Sequence, residues 1–419
     1  MKFAVVVIRS SAAEHDSATA ECETSGSVAA IGLDAVLSIT ARGRAPVQER
    51  RHVTSHADAA RWALEALSAQ PDVDAGTGPR RFDAVGHRVV HGGDHFQEAV
   101  RIDDGVVKDI ERLTELAPLH NAGSLEGIRT AKEILGDGMP MVAVFDTAFF
   151  RDLPACATTY AIPRELATRH GIRRFGFHGT AHASLAAGYA SVTGKRLEDV
   201  RLITLHLGNG CSATAISKGR ALDTSMGFTP LEGLVMGTRA GDLDPAIVSY
   251  LARREQVGVD QVEQWLNERS GLLGVSGLSQ DMRTLLAAVE SRNDPYAALA
   301  VELFCYRVRK YLGAYFAVLG GADAIVFGGG IGERAPDIRT RICSGMDWCG
   351  VQVDPARNAA AVDLSAGEGA RISRDDASVG VYVVAADEER WIARETVRCL
   401  HAADRFDTST SRPLEGDRQ

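Results

Sequence analysis

Long hydrophobic runs, paired cysteines and an excess of positive charge are all missing from this chain. No stretch of 18 or more apolar residues occurs, so no membrane-spanning helix is expected. The seven cysteines, at positions 22, 156, 211, 305, 343, 349 and 399, are odd in number, scattered, and never spaced Cys-x-x-Cys. That pattern argues against a disulfide framework and against a zinc site, including at Cys343 and Cys349, which flank an expected helix end without histidines at ligand spacing. It suits free thiols in a reducing cytoplasm. Acidic residues outnumber basic ones, 55 to 46, for a net charge of −9, whereas a nucleic-acid binder presents a basic face. The apolar run near the N-terminus, Phe3–Ile8, has no small-residue cleavage site and reads as a first buried strand, not a signal peptide. What remains is a globular profile: 45% hydrophobic residues in 419, more than one ordinary core, so two domains are expected.

Strand-like runs at Phe3–Ile8, Ala84–Val90, Met141–Phe145, Leu202–Leu207, Ala324–Phe327 and Val379–Val384 alternate with helical patterns at Ala57–Ser68, Ala122–Leu135, Leu166–His170, Ala181–Val192, Pro295–Leu319 and Glu388–Ala402. The alternation predicts an α/β architecture. Pro71, Gly76, Gly78 and Pro79 mark Ala69–Arg81 as a surface loop, and the polar residues after His401 predict a disordered tail over 404–419. No short tandem repeat occurs, although the strands at Phe3 and Leu202 both lead into small-residue turns.

The richest stretch for chemistry runs from Arg201 to Pro245. An apolar strand breaks into Gly208-Asn-Gly, and His206, Arg239 and several carboxylates then lie among glycines. Glycine lets backbone approach a ligand closely, and exposed N–H turns favour anions, so a polyphosphate suits this surface better than a metal or a nucleic acid. Four further segments stand out. Val85-Gly-His-Arg-Val-Val-His-Gly-Gly places Arg88 within a strand, as a structural ion pair or as a bidentate grip on a carboxylate or phosphate. Val142-Ala-Val-Phe-Asp ends a strand on Asp146, either an active-site carboxylate or a cap for the next turn. In Arg173-Arg-Phe-Gly-Phe-His-Gly-Thr-Ala-His, two adjacent arginines and a helix start point His178 toward anion contact rather than packing. Ala324-Ile-Val-Phe-Gly-Gly-Gly-Ile-Gly-Glu breaks a strand into glycines without the G-x-G-x-x-G spacing of a dinucleotide turn; an adenosine-cradling turn fits equally well. A nicotinamide oxidoreductase is disfavoured, because no acidic residue follows about twenty positions on in a βαβ context.

Taken in order, Val-Gly-His-Arg-Val-Val-His-Gly-Gly, Leu-Ala-Pro-Leu-His-Asn, Val-Phe-Asp-Thr-Ala-Phe, Phe-Gly-Phe-His-Gly-Thr, His-Leu-Gly-Asn-Gly, Asp-Thr-Ser-Met-Gly-Phe-Thr-Pro-Leu-Glu-Gly, Gly-Thr-Arg-Ala-Gly-Asp and Gly-Gly-Ile-Gly-Glu resemble the acetate kinase family, from about Ser27 to Leu400. The resemblance implies two related α/β domains of the ribonuclease-H-like (actin-like ATPase) kind, with a nucleotide cleft between them. It implies an acyl-kinase domain at 1–148 plus 386–403, a nucleotide-binding and dimerisation domain at 149–385, and a homodimer. The implied reaction converts acetate (or propionate) and ATP to acetyl phosphate and ADP, with Mg²⁺ and with Mn²⁺ as an alternative metal. By similarity Arg88 holds the acetate carboxylate, Arg239 the transferring phosphoryl group, and His178 its equatorial oxygens. Asp146 orients the arginines or the metal shell, and Glu388 helps to place Mg²⁺. Val90, Leu119, Phe177 and Pro230 form a small pocket for the methyl group. His206, Leu207, Gly208, Asn209 and Gly210 face the phosphates; Asp281, Met282 and Arg283, with Gly330, Ile331, Gly332 and Glu333, hold adenosine.

The family pattern breaks near the N-terminus. The family follows its first strand with Asn-x-Gly-Ser-Ser-Ser-x-Lys; this chain continues Arg9-Ser-Ser-Ala-Ala-Glu-His-Asp, and the amide, the glycine and the lysine are missing in either alignment. The segment to Thr24 is acidic and shows no strand alternation. Carboxylates thus enter a region built for anions, where like charges about 5 Å apart at intermediate dielectric repel by roughly 3 kcal/mol. Arg334 stands where the family commonly has Asn. Three readings fit the N-terminal departure: a compensated local frameshift over residues 9 to about 24, an impaired relative that binds ligands without efficient turnover, or a kinase with another phosphoryl donor.

Overall fold

The computed structural model describes residues 1–9, 19–32, 34–69, 81–115 and 118–410. These form two compact units, Met1–Ala148 with the C-terminal segment from Glu388, and Phe149–Asp387. The expected loop at Ala69–Arg81 falls almost wholly outside the described residues.

In the first unit, β1 (Lys2–Arg9), β2 (Thr19–Ala29), β3 (Asp34–Ala41) and β4 (Val47–His52) make an antiparallel sheet in sequential order. Strand β2 corrects the reading of the segment to Thr24 as non-strand. It pairs with β1 from Lys2↔Ser27 to Arg9↔Thr19, with one bulge beside Val5. Its most buried face is Ala20, Thr24 and Val28, so the alternation is carried by small residues that a hydrophobicity pattern barely registers. Gly26 belongs to the same economy of size: a Cβ there would collide with the Phe3 ring, 2.6 Å from Cε2, and sit 2.7 Å from Ser38 O. Leu37, Ile39, Ala59, Trp62 and Ala63 close the core between this sheet and helix His56–Ser68.

A second sheet of the same unit has the order β5 (Val85–Val89), β7 (Met141–Phe145), β6 (Val100–Arg101), with β5 and β7 parallel. Strand β7 is buried at all five positions, as a strand covered on both faces must be. Phe96 stacks on Phe145 with ring centroids 4.5 Å apart. The C-terminal helix, Glu388–Thr410, lies against β5 so closely that a Cβ at Gly86 would be 2.8 Å from Ile392 Cγ2. This helix runs to Thr410, into the segment expected to be disordered; residues 411–419 lie outside those described.

The second unit is built on a six-stranded sheet with the order β10 (Arg220–Thr224), β9 (Cys211–Ser217), β8 (Arg201–Leu207), β11 (Ala324–Gly328), β13 (Gly380–Val384), β12 (Gly369–Arg371). The centre, β8–β11–β13, is parallel, and antiparallel strands flank it. Helix Gly179–Thr193 packs Leu185, Ala186 and Tyr189 onto Leu202, Ile216, Val326 and Val384. Its near-uniform apolar and small composition reflects this burial. Ala386 and Asp387, expected with the first unit, belong here: their N–H groups donate to Glu333 Oε1 (3.1 Å) and to Ser184 Oγ (2.7 Å). Among the described residues, no helix is long and apolar enough to cross a membrane.

Candidate active site

Two sets of functional side chains form, one in each unit. In the first, the parallel register of β5 and β7 sets Arg88 beside Val144, two residues before Asp146, which follows the strand end. Arg88 Nε donates to Asp146 Oδ1 at 3.0 Å and Nη2 donates to Oδ2 at 2.6 Å, a bidentate fork. Asp146 is fully buried, whereas Arg88 keeps 38% of its side chain exposed. Glu388 lies 3.8 Å from Arg88 Nε. Burial works against the Arg88 charge, but the carboxylates of Asp146, Glu388 and Glu389 outweigh it and hold the pKa above the ordinary arginine value. The ion-pair reading and the ligand-grip reading of Arg88 therefore meet in one residue: Asp146 takes Nε and Nη2 and fixes the plane of the fork. Val90 follows β5 and is nearly buried; the side chain of Leu119 lies outside those described.

In the second unit, His178 caps helix Gly179–Thr193 in the left-handed region, with φ 59°. A non-glycine residue held there costs about 1–2 kcal/mol and persists only where its surroundings enforce it. The position turns the imidazole toward the strand ends, with its centroid 4.9 Å from that of His206. Beyond His206 the chain makes the tight turn Gly208–Gly210, closed by Gly208 N–H to Gly210 O at 3.0 Å. A Cβ at Gly210 would be 2.6 Å from Arg239 Nη2 and 3.2 Å from His178 Nε2. Glycine is thus what allows Arg239 and His178 to converge on the turn. The loop bearing Arg239 is pinned to the same turn by Gly237 N–H, which donates to Asn209 O at 2.9 Å, and Arg239 Nη1 donates to Pro230 O at 2.8 Å. Arg239 has no carboxylate ion pair among the described residues, and burial lowers its pKa below the ordinary value. Phe177 is buried beside His178 in the chain, and Pro230 is half-buried.

The residues assigned to adenosine lie in two places. Asp281 caps helix Met282–Arg292 and grips the exposed Arg283, with Oδ1 accepting from its backbone N–H at 2.8 Å; the hydrogen bonds from Arg283 hold the Asp281 pKa low. Gly330, Ile331, Gly332 and Glu333 form the short helix Gly329–Arg334 at the end of β11. Gly329 has φ +75°, and a Cβ there would be 2.7 Å from Leu207 O, so only glycine turns the chain this tightly against β8. Glu333 Oε1 accepts from Gly329 N–H at 2.8 Å as well as from Ala386, so that oxygen secures backbone.

Local pattern misplaces one residue here and gives no sign of several others. Arg174, one of the two arginines that pointed His178 toward anion contact, is consumed by Glu232 Oε1 at 2.6 Å and by the carbonyls of Thr224, Ser225 and Met226. It braces the loop that leads to Arg239. Arg339 is absent from the sequence-based set: it is fully buried, donates to the carbonyls of Gly332 and Glu333 at 2.8 Å each, and is pushed down to about 10 by burial. An arginine between Ile338 and Ile342 on an apolar helix face is the available signal. His182 is absent too, although four residues separate it from His178 on one helix face.

Among the described residues, no group of three or more histidine, cysteine or acidic side chains could hold a metal. A Mg²⁺ shared with nucleotide phosphates needs only one or two protein carboxylates, and the half-buried Glu388 fits that requirement.

Comparison with known proteins bears on the family and the fold. The model of the acetokinase family matches residues 1–394. An acetate kinase of Solibacter usitatus is 46% identical over 401 residues, covering 96% of this chain and 95% of that protein. The crystal structure of Porphyromonas gingivalis acetate kinase has a TM-score of 0.81 at 36% identity, covering 95% of this chain and all of that one. A propionate kinase from Francisella tularensis has a TM-score of 0.81 at 35% identity, covering 90% and 93%.

Proposed function

The chain belongs to the acetokinase family, and from that premise we propose that it is an ATP-dependent acetate kinase, with the two-domain actin-like ATPase fold, that interconverts acetate plus ATP with acetyl phosphate plus ADP. The observation that carries the reading is Arg239: a partly desolvated guanidinium with no carboxylate partner among the described residues, set beside His178 at a glycine turn. Such a cation is complementary to an incoming phosphoryl group.

Acetate is ionised at neutral pH, since a simple carboxylic acid titrates at about pH 4, so no general base is required. A carboxylate oxygen attacks the γ-phosphorus, the bond to the β–γ bridging oxygen breaks, and ADP leaves with that electron pair. The protein supplies alignment and charge. Arg88 presents the Nη1 edge that Asp146 does not use to the acetate carboxylate, and Val90 supplies apolar surface nearby. Arg239 and His178 stabilise the phosphoryl oxygens, each such donor being worth roughly 2–4 kcal/mol. His206 and the Leu207–Gly210 turn face the polyphosphate. The Asp281–Arg283 segment and Gly330–Glu333 hold adenosine, braced from below by Arg339. Glu388 would hold Mg²⁺, which when bound neutralises the phosphate charge. Acetate and propionate differ by one methylene, about 1–3 kcal/mol in an apolar pocket, so the acceptor is defined here as a short acyl carboxylate.

The test is hydroxamate trapping of acetyl phosphate with acetate and Mg-ATP. It compares this chain with one whose residues 9–16 are replaced by Asn-Ala-Gly-Ser-Ser-Ser-Leu-Lys. Turnover in the unaltered chain is the expected result. Activity only in the altered chain would favour the second reading, an impaired relative or one that uses a different phosphoryl donor, which the departure after Arg9 motivates.

We also infer a homodimer through the second unit. Tyr296, Leu299 and Tyr306 are exposed along one stripe of helix Pro295–Leu319, an apolar surface of the kind that a partner covers. Light scattering is expected to give twice the 44.7 kDa chain mass, and Leu299→Asp is expected to shift it toward that of the monomer. A monomeric unaltered chain would refute the inference.

A further inference from the structure

The phosphoryl chemistry uses one edge of the His178 ring. The other edge enters the interior of the second unit through a chain of hydrogen bonds that transfer itself does not call for. His178 Nδ1 lies 2.8 Å from Ser212 Oγ, Ser212 Oγ lies 2.8 Å from His182 Nε2, and His182 Nδ1 lies 2.8 Å from Thr204 Oγ1. Ser212, His182 and Thr204 are each fully buried. Helix Gly179–Thr193 supplies His182 and its N-cap supplies His178, four positions earlier; β8 supplies Thr204, and β9 supplies Ser212, which pairs with His206 across the strands.

We propose that Ser212, His182 and Thr204 are positioning residues that hold His178 as a neutral ring protonated on Nε2, the nitrogen beside Gly210 and Arg239, so that it donates a hydrogen bond to the phosphoryl oxygens. This deepens the acetate kinase reading and rests on it for its kinetic consequences. A serine hydroxyl carries one proton. Lying between two ring nitrogens, Ser212 donates to one and accepts from the other, so the two tautomers are locked together. When Thr204 donates to His182 Nδ1, His182 Nε2–H donates to Ser212, and Ser212 donates to His178 Nδ1. The His178 proton is then left on Nε2. The reversed order would turn an Nε2 lone pair toward an anion, which a bound polyphosphate disfavours. Burial and the neighbouring His206 push the His182 pKa well below its ordinary value, which keeps that ring neutral and the chain ordered. A partly buried neutral donor also avoids the desolvation that an imidazolium would suffer.

The experiment uses the full chain labelled with ¹⁵N-histidine and reads the ring nitrogens by long-range proton–nitrogen correlation, alongside steady-state kinetics. In the unaltered chain with ADP, His178 is expected to show a protonated Nε2 and a lone pair on Nδ1. Ser212→Ala is expected to mix the tautomers and to lower kcat by about 10–100-fold while both KM values stay within about threefold. His182→Gln, which keeps a polar group near Nε2, is expected to retain more kcat than His182→Phe. A proton on Nδ1 in the unaltered chain would overturn the proposal, and that result needs no variant to fold. So would an unchanged His178 spectrum in Ser212→Ala, or equal kcat in the two His182 variants. If the unaltered chain made no acetyl phosphate, the acetate kinase reading would fall, and the tautomer measured in that same chain would still decide the proposal.

Discussion

Arg88→Ala is expected to lower kcat/KM for acetate by roughly 10²–10³-fold, the loss typical of removing one preorganised charged donor. Part of that loss is expected in the KM for acetate, because a carboxylate is bound in the ground state as well as in transfer. The change also removes the bidentate partner of a fully buried carboxylate, Asp146. Breaking a buried pair from one side costs about 3–5 kcal/mol; with 38% of the Arg88 side chain in solvent, a loss nearer to roughly 1–3 kcal/mol is expected. A double variant, Arg88→Ala with Asp146→Asn, separates the two effects: it is expected to regain most of the stability in a denaturant melt and none of the activity. Arg88→Lys keeps the charge and loses the fork, so it too is expected to be poor. Acetate kinetics in Arg88→Ala within about tenfold of the unaltered chain would remove Arg88 from the acetate site.

Arg239→Ala is expected to show the opposite balance. Its kcat is expected to fall by roughly 10²–10³-fold with little change in nucleotide affinity, because the lost interaction strengthens as charge develops on the phosphoryl oxygens. Stability, however, is expected to be unchanged or slightly higher. Arg239 pairs with no carboxylate among the described residues and gives up only its bond to Pro230 O, while burial already disfavours its charged form. Retaining such a cation opposes folding and suits a site built for an anion. A destabilisation as large as that of Arg88→Ala would mean that Arg239 is structural, and the phosphoryl role would then have to move elsewhere.

The contrast between these two arginines shows where sequence reading stops. Both sit in glycine-rich motifs, and both are legible as candidate anion ligands. So is Arg174, which the fold spends on Glu232 and three carbonyls. Residue type and local pattern are identical in kind for all three. Only the partner across space tells them apart, and that partner is 58 residues away for Arg88 and 58 for Arg174. His182, Ser212 and Thr204 are unremarkable in sequence for the same reason. A histidine, a serine and a threonine on three different elements have no pattern until strand register brings them within 2.8 Å.

Strands buried on both faces announce themselves: β7 and β11 are short, continuous apolar runs, buried at every position. Strand β2 does not, because its inward side is filled by alanine, threonine and glycine under the Phe3 ring. Residue order alone carried the α/β class, the residue types able to neutralise phosphate and, through the family resemblance, the chemistry of transfer to a carboxylate. The fold decided which arginine is braced, which is spent and which has no carboxylate partner among the described residues, and that His178 Nδ1 meets Ser212. Those outcomes depend on desolvation and hydrogen-bond partners set by distant strands, and neither is encoded in the local run of residues.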